Sequence, residues 1–229
     1  MELNSYIDHT NLKNTATLRD IEALCDEAIK YKFASVCVYP YYVNLARELL
    51  DGSNVEVCTV VGFPMGMNTR ETKVYEAIDA VSKGATEIDM VINIAALKNK
   101  DYDYIKEEIE EIRDSIDGKV LKVIIETCLL TEEEIIKMTE ICNETYVNFI
   151  KTSTGFGEYG ARVEDINIIN SVKNDVLEIK ASGGIRDIKT AEEMIDAGAT
   201  RIGTSSGVKL MTVDEKKEHK CHCGHCKED

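Results

Sequence analysis

Eight short apolar runs, each followed by a stretch with helical character, recur along this chain at intervals of roughly 20 to 35 residues. They cover residues 5–10, 35–40, 55–64, 87–93, 121–127, 148–155, 177–184 and 201–206. Parallel strands need a crossover of a dozen or more residues to return the chain to the same edge, and the intervening helices supply it. Thr17 and Thr131 open two of these helices with a hydroxyl cap and an acid three residues on, Asp20 and Glu134. Inward stripes are expected at Leu18, Ile21, Leu24, Ala28 and Ile29, and at Val74, Ala77, Ile78 and Val81. Two more run through Ile105, Ile109, Ile112 and Ile116, and through Ile135, Met138, Ile141 and Cys142. Gly84-Ala-Thr86 and Gly198-Ala-Thr200 each stop a helix and launch a strand, with glycine as the left-handed cap. An open doubly wound sheet shares this local rhythm, but its nucleotide site needs a glycine-rich fingerprint after the first strand, and none follows residues 5–10. The expectation is therefore an α/β protein, a single-domain (β/α)8 TIM barrel over residues 1–211.

Residues 212–229 break the pattern. They are charged and poor in apolar residues, and read as a flexible tail. Cys221, His222, Cys223, His225 and Cys226 could chelate a soft or borderline metal there; the plainer reading is a tail that picks up metal adventitiously. Cys25, Cys37, Cys58, Cys128 and Cys142 fall within apolar periodic segments, where a free thiol packs as a small hydrophobe. A formal charge of −15 repels nucleic acid and anionic lipid, so an anionic substrate needs a local device to bind. No apolar run approaches the length of a membrane span and the opening residues lack a signal-like pattern, so the expectation is a cytoplasmic protein.

Against this background three ionisable residues stand out. Successive strand residues face opposite ways, so Lys151 points away from Ile150 and Thr152, Asp89 from Ile88 and Met90, and Lys180 from Ile179. A lone strand-end lysine ordinarily snorkels to solvent. Three charges late in three strands, all of the parity opposite to their apolar neighbours, would meet in one buried mouth, which is costly unless they are chemically employed. Burial and a like charge nearby both favour a neutral lysine, and a neutral amine can attack a carbonyl. Asp89 then supplies the carboxylate for proton transfer. Gly155, Ser182-Gly183-Gly184 and Gly203-Thr-Ser-Ser206 follow the last three strands, where barrels of this kind commonly hold phosphate.

These stretches are also where the chain resembles a known family. Ile7-Asp-His-Thr10, Val36-Cys-Val-Tyr-Pro40, Val61-Gly-Phe-Pro64, Glu87-Ile-Asp-Met-Val91, Val123-Ile-Ile-Glu-Thr127, Phe149-Ile-Lys-Thr-Ser-Thr-Gly155, Lys180-Ala-Ser-Gly-Gly-Ile-Arg186 and Arg201-Ile-Gly-Thr-Ser205 are similar, in order, to motifs of the deoxyribose-phosphate aldolases, which are class I (Schiff-base) aldolases. The resemblance spans about residues 1–210. It implies reversible cleavage of 2-deoxy-D-ribose 5-phosphate to D-glyceraldehyde 3-phosphate and acetaldehyde, with no metal or other cofactor. Lys151 would form the imine, Lys180 would perturb it, and Asp89 with Lys180 would move protons through a water. Gly155, Gly183, Gly184, Ser205 and Ser206 match phosphate-binding positions; Asp8, Thr10, Cys37 and Thr152 join the substrate-binding set, with Cys37 packing rather than reacting. The implied partners are small phosphosugars and aldehydes, and a homodimer or homotetramer is left open. One departure is the loop Phe156-Gly-Glu-Tyr-Gly-Ala-Arg162, where many relatives carry a small Gly/Ser/Thr-rich loop; Glu158 would repel a phosphate unless it turns to solvent. The tail is the other. Two rivals remain: another phosphate-binding barrel lyase or isomerase with Asp89 as base, and a metal-binding protein acting through its tail.

Overall fold

Each of the eight runs becomes a strand. β1 (Ile7–Asn11), β2 (Ser35–Val38), β3 (Glu56–Val61), β4 (Glu87–Val91), β5 (Val120–Ile124), β6 (Phe149–Lys151), β7 (Glu178–Ser182) and β8 (Arg201–Thr204) pair in parallel and in chain order, and β8 closes on β1. A computed structural model of the chain describes residues 2–212. The tail ligand candidates Cys221, His222, Cys223, His225 and Cys226 lie outside the described residues.

The crossovers are α1 (Leu18–Tyr31), α2 (Val43–Leu49), α3 (Arg70–Ser82), α4 (Ile94–Lys98), α5 (Tyr102–Ser115), α6 (Glu132–Glu144), α7 (Val163–Val172) and α8 (Ile188–Asp196). Residues 207–212 are also helical. Both expected capping boxes form, at Thr17 with Asp20 and at Thr131 with Glu134, each satisfying backbone donors that the first helical turn leaves free. Gly84 and Gly198 adopt positive φ, 106° and 120°, where the chain leaves a helix for a strand. Among the described residues no helix is long and apolar enough to cross a membrane.

The core has two parts because each strand has two faces. Ile88, Leu121, Ile150, Ile179 and Ile202 point out of the barrel and join the helices in one large apolar cluster. Within the barrel, Leu12, Cys37, Cys58 and Val60 form a smaller one. Ile105, Ile109, Ile112 and Ile116 are buried as their spacing predicts, as are Ile135, Met138, Ile141 and Cys142. Two helices sit differently. Leu18 and Ile29 lie at the margins of the α1 stripe and are 58% and 40% exposed. In α3 Ala77 is buried and Val74 and Val81 pack partly buried against the core, but Lys73 and Ala80 complete the inward face and Ile78 is 47% exposed. The helix turns this way because the Lys73 ammonium is buried against Glu108 of α5 at 2.7 Å and donates to the Val91 carbonyl at 2.8 Å. That pairing ties α3 and α5 to the end of β4, two residues beyond Asp89.

Candidate active site

Barrel closure sets charged residues on neighbouring strands side by side. In the register, Asp89 is opposite Lys122, Lys151 opposite Lys180, and Lys180 opposite Arg201. All five share the parity opposite to the outward isoleucines and leucine, so their side chains enter the interior. The Lys151 and Lys180 nitrogens both reach Asp89 Oδ2, each at 2.7 Å, and therefore lie within about twice that distance of each other. Lys180 Nζ is also 2.5 Å from Asp8 Oδ2, close but not aligned as a hydrogen bond. Lys122 Nζ lies 2.9 Å from Asp89 Oδ1, 2.6 Å from Glu87 Oε2 and 3.7 Å from Asp8 Oδ2. Arg201 meets Asp8 at 2.7 Å and Glu87 at 3.2 Å.

Three carboxylates, Asp8, Glu87 and Asp89, thus face four cationic side chains, Lys122, Lys151, Lys180 and Arg201. Buried charge is tolerated when it is paired, and one cation here is in excess. Lys151 has a single carboxylate partner, whereas the other three cations each have at least two. Of the four, only Lys151 reaches the pocket above. Burial alone would push the Lys180 ammonium toward its neutral form, but Asp8 and Asp89 outweigh it and hold Lys180 above the usual lysine range. The same contest raises Lys122 well above its ordinary value, with Asp89 the largest opposing charge. Burial would raise Asp89, and Lys122, Lys151 and Lys180 together hold it well below the carboxylate range instead. Lys180 is consequently a lasting ammonium beside Lys151.

A cavity of about 490 Å³ opens above this network at the C-terminal ends of the strands, a volume suited to a small phosphorylated molecule. Lys151 is on its floor, and Thr10, Gly155, Gly183, Gly184 and Ser205 are on its wall. Two glycines make the wall possible. A Cβ on Gly160 would stand 2.1 Å from the Gly183 carbonyl oxygen, and Gly183 itself has φ 85°, so the loops after β6 and β7 touch backbone to backbone. The β6 loop is held from behind by the buried Glu126 carboxylate, which accepts from the Thr154 amide and from the Thr154 hydroxyl.

The remaining expected residues have other surroundings. Asp8 lies in the ionic network below the floor. Cys37 belongs to the inner apolar cluster, and Ser206 donates its amide to Thr204 Oγ1. Thr152 does not line the cavity: its hydroxyl accepts the Ser182 amide and links β6 to β7, as its outward parity requires. Glu158 is exposed and off the wall, while Phe156 is on it and packs edge-on against Phe63 at 5.4 Å. Sequence reasoning missed Lys122, Glu87 and Arg201 in the network and the exposed Arg186 on the wall. The parity that singled out Asp89 and Lys151 applies equally to the first three, and Arg186 closes a motif already quoted.

A family model described as DeoC/LacD family aldolase matches residues 3–211. The chain is 53% identical over 218 residues to the deoxyribose-phosphate aldolase of Clostridium tetani (strain Massachusetts / E88), covering 95% of this chain and 100% of that one. Among solved structures it is similar to an aldolase designated QR15, with a TM-score of 0.92, 43% identity, and coverage of 96% of this chain and 99% of the other. It is also similar to the deoxyribose phosphate aldolase from Aeropyrum pernix, described as a unique tetramer, with a TM-score of 0.87, 31% identity, and coverage of 94% and 92%.

Proposed function

The chain belongs to the DeoC/LacD family of aldolases, and from that membership we propose that it cleaves 2-deoxy-D-ribose 5-phosphate reversibly to D-glyceraldehyde 3-phosphate and acetaldehyde through an imine on Lys151. The observation that carries the assignment of roles is the single Asp89 oxygen shared by Lys151 and Lys180 under a glycine-walled cavity. The Lys151 nitrogen attacks C1 of the open-chain sugar, and loss of water leaves a protonated imine. Removal of the C3 hydroxyl proton breaks the C2–C3 bond, and its electron pair moves through C2 and C1 to the imine nitrogen. Glyceraldehyde 3-phosphate departs; the enamine is protonated at C2 and hydrolysed to acetaldehyde and free Lys151. Asp89 and Lys180, hydrogen-bonded to each other, are the pair that moves these protons, through a water. The protonated imine itself is the electron sink, so this reading requires no metal or other cofactor.

Gly155, Gly183, Gly184 and Ser205 on the wall, with Ser206 beside them, are the proposed phosphate contacts, and Arg186 adds a cation at the rim. This is the local device by which a chain of net charge −15 takes up an anionic sugar. Five unpaired cysteines among the described residues support a reducing, cytoplasmic compartment. The tetrameric relative supports a homo-oligomer. Incubation with acetaldehyde and borohydride should leave a reduced adduct that peptide mapping locates at Lys151; a folded protein with no adduct there defeats the proposal.

A further inference from the structure

Lys122 is fully buried beneath the cavity floor, on a strand that contributes nothing to the cavity wall, and the reaction sequence above makes no use of it. Its nitrogen takes Asp89 Oδ1 at 2.9 Å, leaving Oδ2 to Lys151 and Lys180. The groups facing it come from several strands: Asp8 from β1, the Cys58 thiol from β3 at 3.2 Å, and Glu87 with Asp89 from β4. Arg201 of β8 is joined to it through Asp8 and Glu87, Lys151 and Lys180 through Asp89, and Cys37 of β2 through Cys58.

We propose that Lys122 is a positioning residue for the aldol reaction, fixing Asp89 from the barrel interior so that one carboxylate oxygen serves both upper lysines, and setting the charge against which Lys151 exchanges its proton. The proposal rests on the aldolase reading. A carboxylate gripped at Oδ1 cannot turn about its own axis, so Oδ2 stays between the two lysines. The charge effect has a definite sign. With Lys122 the set holds four cations against three carboxylates; without it the numbers match while Lys151 is still protonated, and imine formation needs a higher pH. Removing the Glu87 carboxylate does the reverse.

The test follows the pH midpoint of borohydride trapping at Lys151 with acetaldehyde in Lys122→Met, Glu87→Gln and the double variant, each checked for folding by denaturant titration. A unit charge roughly 6 Å away in a medium of effective dielectric about 20 moves such a midpoint by up to about two pH units. Lys122→Met is expected to shift it upward by about one to two units, so trapping below the wild-type midpoint falls about 10- to 100-fold. Glu87→Gln is expected to shift it downward and the double variant to return it toward wild type. A purely structural role lowers stability in both single variants and leaves the midpoint in place; unmoved midpoints in Glu87→Gln and in whichever Lys122 variant folds overturn the proposal. A wild-type protein that is not trapped at Lys151 sinks the aldolase reading and this proposal with it.

Discussion

Replacing Asp89 with asparagine removes the charge that three ammonium groups share at 2.7, 2.7 and 2.9 Å. At an effective dielectric of about 20 each contact is worth about 6 kcal/mol of gross attraction, more in sum than the whole stability of an ordinary domain, about 5–15 kcal/mol. The loss cannot reach that sum, because the site has a cheaper escape. One of these lysines can fold in its neutral form, and at pH 7, about 3.4 units below its ordinary value, this costs about 5 kcal/mol. Asp89→Asn should therefore lower the unfolding free energy by about 4–5 kcal/mol at pH 7. The sign of the pH dependence follows from the same step. The variant's unfolded state binds a proton that its folded state does not, so its stability rises with pH and the deficit shrinks by about 1.4 kcal/mol per unit. Urea titrations of wild type and variant at pH 7, 8 and 9, at constant ionic strength, measure it. A deficit under about 1 kcal/mol at pH 7, or one unchanged to pH 9, refutes the shared-carboxylate account. In the folded variant, borohydride trapping at Lys151 should survive while turnover drops about 10²- to 10⁴-fold, because the amine remains and the proposed proton carrier does not.

Other measurements probe the wall and the acid limit. Gly160→Ala would put a methyl 2.1 Å from the Gly183 carbonyl oxygen, forcing the β6 and β7 loops apart. The expected cost is about 1–3 kcal/mol of stability with KM for the phosphosugar raised about 10-fold and acetaldehyde trapping little changed; equal damage to both would place the fault outside phosphate binding. Burial would raise Asp8 and Asp89, yet Lys180, Lys122 and their companion cations hold both well below the carboxylate range. Their stabilisation is complete above the unfolded value of about 3.9 and is lost as pH falls from there toward the folded values. Unfolding free energy should decline below pH 4 with a slope that starts near one proton, about 1.4 kcal/mol per unit, and steepens toward two, about 2.7 kcal/mol per unit, below pH 3; a flat profile between pH 4 and 3 contradicts the assignment.

The barrel could be read in the sequence because its signals are local: alternation within a run, caps such as Thr17 and Thr131, and glycines that end helices. What escaped depends on closure. Glu87 and Arg201 stand at the first residue of their strands, where a charge ordinarily reaches water at the rim, and only the closed ring turns Glu87 onto Lys122 and Arg201 onto Asp8 and Glu87. The α3 stripe departs from its periodicity at Lys73, which faces in, and Ile78, which faces out, for a related reason. A lysine reads as solvent-facing until its partner is known, and Glu108 lies 35 residues away on another helix. The functional pair shows the same limit in its electrostatics. Parity brings Lys151 and Lys180 together, and on parity alone mutual repulsion would free one amine. The folded site interposes a carboxylate, and Asp8 with Asp89 keeps Lys180 charged despite complete burial. Bare repulsion would act on both nitrogens alike and would not select between them. The surrounding charges do select, since Lys180 has two carboxylates and no opening while Lys151 has one carboxylate and the cavity. In the proposed reaction the choice of nucleophile thus depends partly on Asp8, a residue 143 positions from Lys151 in sequence and paired with Lys180 instead, and replacing Asp8 with asparagine should blur that selection by leaving each lysine one carboxylate.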